Sequence, residues 1–219
     1  MHSWIDKDTE IYCSFAREAG NTGCQMMNTA FYYHGLNKIY KSFSVRSIED
    51  AVKSVLTLGI KGFAITMPYK VEVLKYVHDM EDSVKEIGAA NTVINTNGRL
   101  HAYNTDAYAA KKFLSEYDNR KPLVILGNGG YAKAVKWAAE RSGFTVEQRT
   151  RKENGIHMEL GMTHKSIIYS CIPESLKYTL HTKSNEWIDC LVNTDTGKQL
   201  AKLQASKQFE LYTGKEFPL

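Results

Sequence analysis

Short apolar runs alternate with helix-period segments along most of this chain. A chain so patterned buries its apolar faces as βα units around a mainly parallel sheet. Residues 11–16 read as the first strand, 26–36 as a helix stopped by Gly35 and Asn37, and 40–45 as the next strand. Ser47 is a helix N-cap for residues 51–58, with Glu49 and Asp50 in the first turn and Gly59 ending the helix. Residues 62–67 form a third strand, which Pro68 prevents from continuing as an interior strand. Helical patterns return over 70–77 and 82–87. Asn97-Gly98 joins two short apolar segments and is a hairpin signal, because both residues tolerate positive φ. That hairpin sets Asn91 and Asp106 at its two outer ends.

The second half repeats the alternation. A helix over 107–117 leads to a buried-strand pattern at 122–126, an alanine-rich helix over 132–142 and a strand over 145–149. Further strands are expected at 167–172 and 190–192, then a closing helix over 198–212. At 219 residues the chain is long enough for one large domain or two small ones. A composition of 43% hydrophobic and 24% charged residues is that of an ordinary globular protein. The net charge of +4 is mild and no basic tract stands out, which excludes nucleic acid as the obvious partner. It suits an anionic small molecule and equally an unselected surface. Cys13, Cys24, Cys171 and Cys190 show no C-x-x-C spacing, so no metal site is expected, and Cys13 and Cys190 read as buried small hydrophobes. The N-terminus lacks the apolar core of a signal peptide, and no stretch is apolar enough to span a membrane. The expectation is a cytoplasmic protein with reduced thiols and no membrane partner.

Gly127-Asn128-Gly129-Gly130-Tyr131-Ala132 lies between an expected strand and an expected helix. Glycines there permit a tight turn and close approach to a pyrophosphate, and the helix N-terminus offers free N–H donors. The plainer alternative is a tight βα turn. At the end of the following strand, where NAD binders place an acidic residue, stand Gln148-Arg149-Thr150-Arg151-Lys152. Arg149 and Arg151 can pair with a ribose 2′-phosphate, which points to NADP, although a solvated basic loop would read the same. Glu147 is a counter-sign on the same strand.

Two polar clusters end strand-like runs in the first half: Ile65-Thr66-Met67-Pro68-Tyr69-Lys70 and Asn104-Thr105-Asp106, with Ile87-Gly88-Ala89-Ala90-Asn91-Thr92 between them. Near the end, Gly197-Lys198-Gln199-Leu200-Ala201-Lys202-Leu203-Gln204-Ala205 opens the closing helix. In that order, with the glycine loop, these resemble the motifs N-V-T-x-P-x-K, I-G-A-x-N-T, N-T-D and G-x-x-x-L-x-x-Q-A of the shikimate dehydrogenase family. The resemblance thins over residues 152–196.

The resemblance implies an α/β fold, with an open-sheet substrate domain over 1–105 joined by the closing helix 197–219, and a shortened Rossmann-like dinucleotide-binding domain over 106–196. It implies Lys70 as general acid/base, Asp106 as the group orienting it and the substrate hydroxyl, and Thr66, Asn91 and Gln204 beside the substrate. Gly127, Asn128, Gly129, Gly130, Tyr131, Ala132, Arg149, Thr150 and Arg151 would hold NADP. Where the family carries S-x-S-P-x-x-H-N, with two serines on the substrate carboxylate, this chain has Asn21-Thr22-Gly23-Cys24-Gln25-Met26-Met27-Asn28. Asn21, Thr22 and backbone N–H groups remain for an anion, and weak oxidation of shikimate itself is expected. Ser170-Cys171-Ile172-Pro173-Glu174 and residues 189–194 stand where the family has loops beside the nicotinamide. The implied activity is NADP-dependent interconversion of a cyclic hydroxy acid and its keto form, like shikimate and 3-dehydroshikimate in aromatic amino acid biosynthesis, by a monomer or homodimer. The other reading is a non-catalytic ligand-binding relative, a pseudoenzyme.

Overall fold

The computed structural model describes residues 5–150, 165–172 and 186–218. They divide into two compact units, one comprising the chain up to Thr105 and from Ala205 onward, the other Asp106–Gln204.

The first unit runs β1 (Glu10–Ala16), α1 (Thr22–Tyr33), β2 (Lys38–Ser44), α2 (Ile48–Leu58) and β3 (Gly62–Ile65). A 3₁₀ turn over Glu72–Tyr76, β4 (Asp79–Met80), α3 (Asp82–Ile87), β5 (Thr92–Thr96) and β6 (Arg99–Tyr103) follow. The sheet order is β2-β1-β3-β5-β6-β4. β1 is parallel to β2 and β3, whereas β5 runs antiparallel to both β3 and β6. Successive β1 residues serve opposite faces. Cys13 and Phe15 pack with Val52 and Val55 of α2, and Tyr12 packs with Met27 and Phe31 of α1. A parallel sheet covered on both faces needs apolar residues at both parities, which is why β1 does not alternate.

Local signals explain the element ends. Ser47 accepts a hydrogen bond from the Asp50 N–H, Glu49 and Asp50 occupy the first turn of α2, and Gly59 stops it at φ +65°. Asn97 (φ 52°) and Gly98 (φ 89°) make the β5–β6 turn, as a two-residue hairpin requires.

Other boundaries moved. α1 begins at Thr22 rather than residue 26, because its first turn, Thr22 to Gln25, offers only Cys24 to the core and carries no apolar period. The helix expected over 70–77 is reduced to the 3₁₀ turn, in which only Val73 is buried. β3 ends at Ile65, after which the Thr66 N–H turns to the Phe15 carbonyl.

The second unit holds most of α4 (Thr105–Leu114), then β7 (Leu123–Leu126), α5 (Gly130–Arg141), β8 (Val146–Arg149), β9 (Ile167–Ser170) and β10 (Glu186–Asp189). α6 (Asp195–Thr213) begins in this unit and ends in the first. The sheet is all parallel in the order β10-β9-β7-β8. Leu123 and Ile125 face Phe113, Leu114, Val135 and Ala138, while Val124 and Leu126 face Ile168 and Ile172. The strand expected at 190–192 lies instead at Glu186–Asp189, where Ile188 supplies the buried residue. Among the described residues no helix is long and apolar enough to cross a membrane. The α/β architecture read from the sequence is the one observed.

Close packing leaves little room for a side chain at Gly62. A Cβ there would lie 2.7 Å from the Tyr212 ring and 3.1 Å from the Tyr12 ring. The two rings are buried and pack on each other with centroids 4.7 Å apart, so neither has room to retreat. Gly62→Ala is expected to cost about 1–3 kcal/mol, the usual penalty of overpacking. A lower urea midpoint measures this, and an unchanged midpoint would contradict the packing argument.

Candidate functional site

In the first unit the chemistry-bearing segments gather where β1 and β3 end. The Thr66 N–H donates to the Phe15 carbonyl at 3.0 Å, the Tyr69 N–H donates to the Thr66 carbonyl at 2.9 Å, and the Tyr69 hydroxyl donates to the Val45 carbonyl at 2.7 Å. Residues 66–70 are thereby pinned to the ends of β1 and β2. The Lys70 carbonyl accepts the Ala90 N–H at 2.8 Å, which sets Lys70 beside Asn91. Thr66 is exposed and Lys70 partly so.

Asn91 is fully buried. Its Oδ1 accepts the Thr105 N–H at 2.7 Å and its Nδ2 donates to Thr105 Oγ1 at 2.9 Å. Asn104 Nδ2 donates to the Ala89 carbonyl at 2.8 Å. These bonds zip the two ends of the β5–β6 hairpin together, as the turn signal implied. Asn21 is the N-cap residue of α1 but makes no side-chain cap, and Asn21 and Thr22 are exposed, so first-turn N–H groups are offered to solvent.

Pattern reading passed over two residues here. Asn28 exchanges hydrogen bonds with both backbone groups of Tyr40, at 2.8 Å each, and ties α1 to β2. Gln208, one turn beyond Gln204 on α6, is buried and donates to Thr92 Oγ1 at 2.9 Å. Its helical spacing from Gln204 was the only available signal.

The second unit contains Asp106, Gln204 and the glycine loop. Asp106 is fully buried in the first turn of α4, where the helix dipole favours a carboxylate. Gln204 is partly buried. β7 has β8 on one side and β9 on the other, so its carboxyl end is a topological switch point, where open α/β sheets bind ligands. The glycine loop sits there. Gly127 has φ +115°, with a would-be Cβ 3.4 Å from the Cys171 carbonyl, and its own carbonyl accepts from Gln148 Nε2 at 2.8 Å. Gly129 caps α5 with no side chain, and nothing lies within 4 Å of its would-be Cβ. Asn128 is exposed and Ala132 is buried against the sheet. An uncapped helix N-terminus above open space suits a pyrophosphate, so the residues present fit a dinucleotide.

Tyr131 and Tyr169 share a hydrogen bond at 3.0 Å between their hydroxyls. Burial above all, with the nearby Asp106 carboxylate adding to it, pushes the Tyr131 phenol well above its ordinary pKa. Burial does the same to Tyr169, and both stay neutral. Arg149 ends β8 with its Nε 2.7 Å from Glu147 Oε1, so the acidic counter-sign of the sequence lies against the guanidinium. Thr150 is exposed, and Arg151 lies outside the described residues, as do Pro173 and Glu174. Among the described residues no group of three or more His, Cys, Asp or Glu is arranged to hold a metal ion.

Residues 22–93 match the family model for the shikimate dehydrogenase substrate binding domain. A shikimate dehydrogenase-like protein of Haemophilus influenzae is 39% identical over 142 residues, 64% of this chain and 52% of that protein, so the match spans about half of that relative's length. The NADP(+) shikimate dehydrogenase of Caldanaerobacter subterraneus is 35% identical over 200 residues, 87% of this chain and 69% of its own. The solved structure of a shikimate 5-dehydrogenase-like protein superposes with a TM-score of 0.81 at 27% identity, covering 99% of this chain and 95% of the other.

Proposed function

The chain belongs to the shikimate dehydrogenase family, and on that premise we propose that it is an NADP-dependent oxidoreductase interconverting a cyclic hydroxy acid and its keto form. The observation that carries this reading is the open, uncapped N-terminus of α5 at the switch point of an all-parallel sheet, with Arg149 at the end of the next strand.

A bound nicotinamide supplies the hydride acceptor, and the chain's own residues handle orientation and the proton. As the alcohol carbon gives up its hydride, Lys70 in its amine form takes the hydroxyl proton. In the reverse direction the ammonium returns it. Asp106 holds the charge that orients lysine and hydroxyl. Thr66, Asn91 and Gln204 serve the ring hydroxyls. Asn21 and Thr22, with the exposed N–H groups of α1, take the place of the two serines that would grip a carboxylate. A substrate less dependent on that grip than shikimate is expected, within the same class of polyhydroxylated ring acids.

NADP should bind more tightly than NAD, because Arg149 is a preorganised cation at the ribose end of the site. Its side chain is only 23% exposed and is held by Glu147. A charged hydrogen bond is worth about 1.5–3 kcal/mol, so Arg149→Ala should weaken NADP roughly ten- to hundredfold. The affinity for NAD should barely change. Fluorescence titration of both cofactors decides it, and equal wild-type affinities would remove the 2′-phosphate role.

A further inference from the structure

We infer that Gln208 is a positioning residue for the proposed reaction, fixing the orientation of the Asn91 amide through the hydroxyl of Thr92. The inference rests on the functional reading above.

Gln208 Nε2 donates to Thr92 Oγ1 at 2.9 Å. A hydroxyl that accepts there directs its single proton elsewhere, and the Thr92 hydroxyl donates to Asn91 Oδ1 at 3.2 Å. The same Asn91 oxygen accepts the Thr105 N–H at 2.7 Å, and Asn91 Nδ2 donates to Thr105 Oγ1 at 2.9 Å. Gln208, Thr92, Asn91 and Thr105 are all buried, so water does not compete for these bonds.

Without the amide of Gln208 the Thr92 oxygen lacks a donor, and the Thr105 hydroxyl, 3.4 Å away, can swing from Asn91 Oδ1 to donate to it. Asn91 Oδ1 would then lose a donor, and the distinction between its donor and acceptor ends would weaken. That distinction determines what Asn91 presents to a ring hydroxyl. The same network holds Thr105, the residue joined to Asp106, and it adjoins Ala90, whose N–H holds the Lys70 carbonyl. One glutamine on α6 therefore acts on the segments that carry the proposed chemistry. The alternative is that Gln208 merely fills space between α6 and the sheet.

A double-mutant cycle on the whole protein separates the two. Thr92→Val, Gln208→Leu and the double variant are assayed for kcat/KM with NADP and shikimate, alongside thermal melts. If Gln208 acts through Thr92, each single variant should lose about tenfold, and the double also about tenfold rather than about a hundredfold. Additive losses, or full kcat/KM in Gln208→Leu, would overturn the inference. If the wild type turns over no hydroxy acid, the functional reading fails, and the relay is then judged by exchange of the Asn91 side-chain amide protons in NMR. Gln208→Leu should speed that exchange by about tenfold or more if the relay holds the amide, and an unchanged rate would refute it.

Discussion

Lys70→Ala should lower turnover by about 10²-fold or more, the loss expected when a positioned acid/base is removed. The protein should remain folded. The Lys70 carbonyl, which accepts the Ala90 N–H at 2.8 Å, survives the substitution. The loop itself is anchored by the buried Tyr69, through its hydroxyl to Val45 and its N–H to Thr66. An unchanged melting temperature with a collapsed kcat would mark Lys70 as chemical rather than structural. Full turnover in the variant would refute the acid/base assignment.

Gly197→Ala should be the most destabilising small substitution in the second unit. A Cβ at Gly197 would fall inside the van der Waals envelope of the Leu191 carbonyl, with the Thr194 hydroxyl close on the other side. Neither neighbour yields easily. The Leu191 carbonyl accepts the Thr194 N–H at 2.9 Å, and Thr194 Oγ1 caps α6 by accepting the Gly197 N–H at 3.0 Å. Relieving the clash means breaking that cap or moving backbone, so the cost should reach about 3 kcal/mol, the upper end of overpacking. For a chain of this size that is roughly 6–12 °C in melting temperature. A shift below about 2 °C would contradict the tight turn before α6.

Much of the fold was legible because backbone chemistry announces itself locally. Ser47 and Gly59 bracket α2, Asn97-Gly98 makes its turn, and the apolar run before Gly127 becomes the central strand of the parallel sheet. The first turn of α1 was not legible, since its residues show no apolar period and a cap without a side-chain bond leaves no signature. β10 lies earlier than expected because its apolar pair Trp187-Ile188 is flanked by Glu186 and Asp189, whereas Leu191 and Val192 look like a strand and lie in a turn.

In the candidate site, residue types and their order were readable but burial was not. Nothing in the sequence distinguishes Asn91 in a buried amide network from an asparagine on a surface, or separates Gln208 from the exposed residues of its helix. Such distinctions depend on partners remote in sequence, Thr105 for Asn91 and Thr92 for Gln208. The Glu147–Arg149 pair is a two-residue relation on one strand, where alternation puts both side chains on one face.

The central claim is tested most directly by incubating the purified protein with NADP and a panel of cyclic hydroxy acids, following the absorbance of the reduced nicotinamide under steady-state conditions. The account predicts saturable turnover of at least one polyhydroxylated ring acid, with NADP preferred to NAD and shikimate poorer than the best substrate. Tight NADP binding with no turnover of any acid in the panel would contradict it and leave a protein that binds its ligands without transforming them.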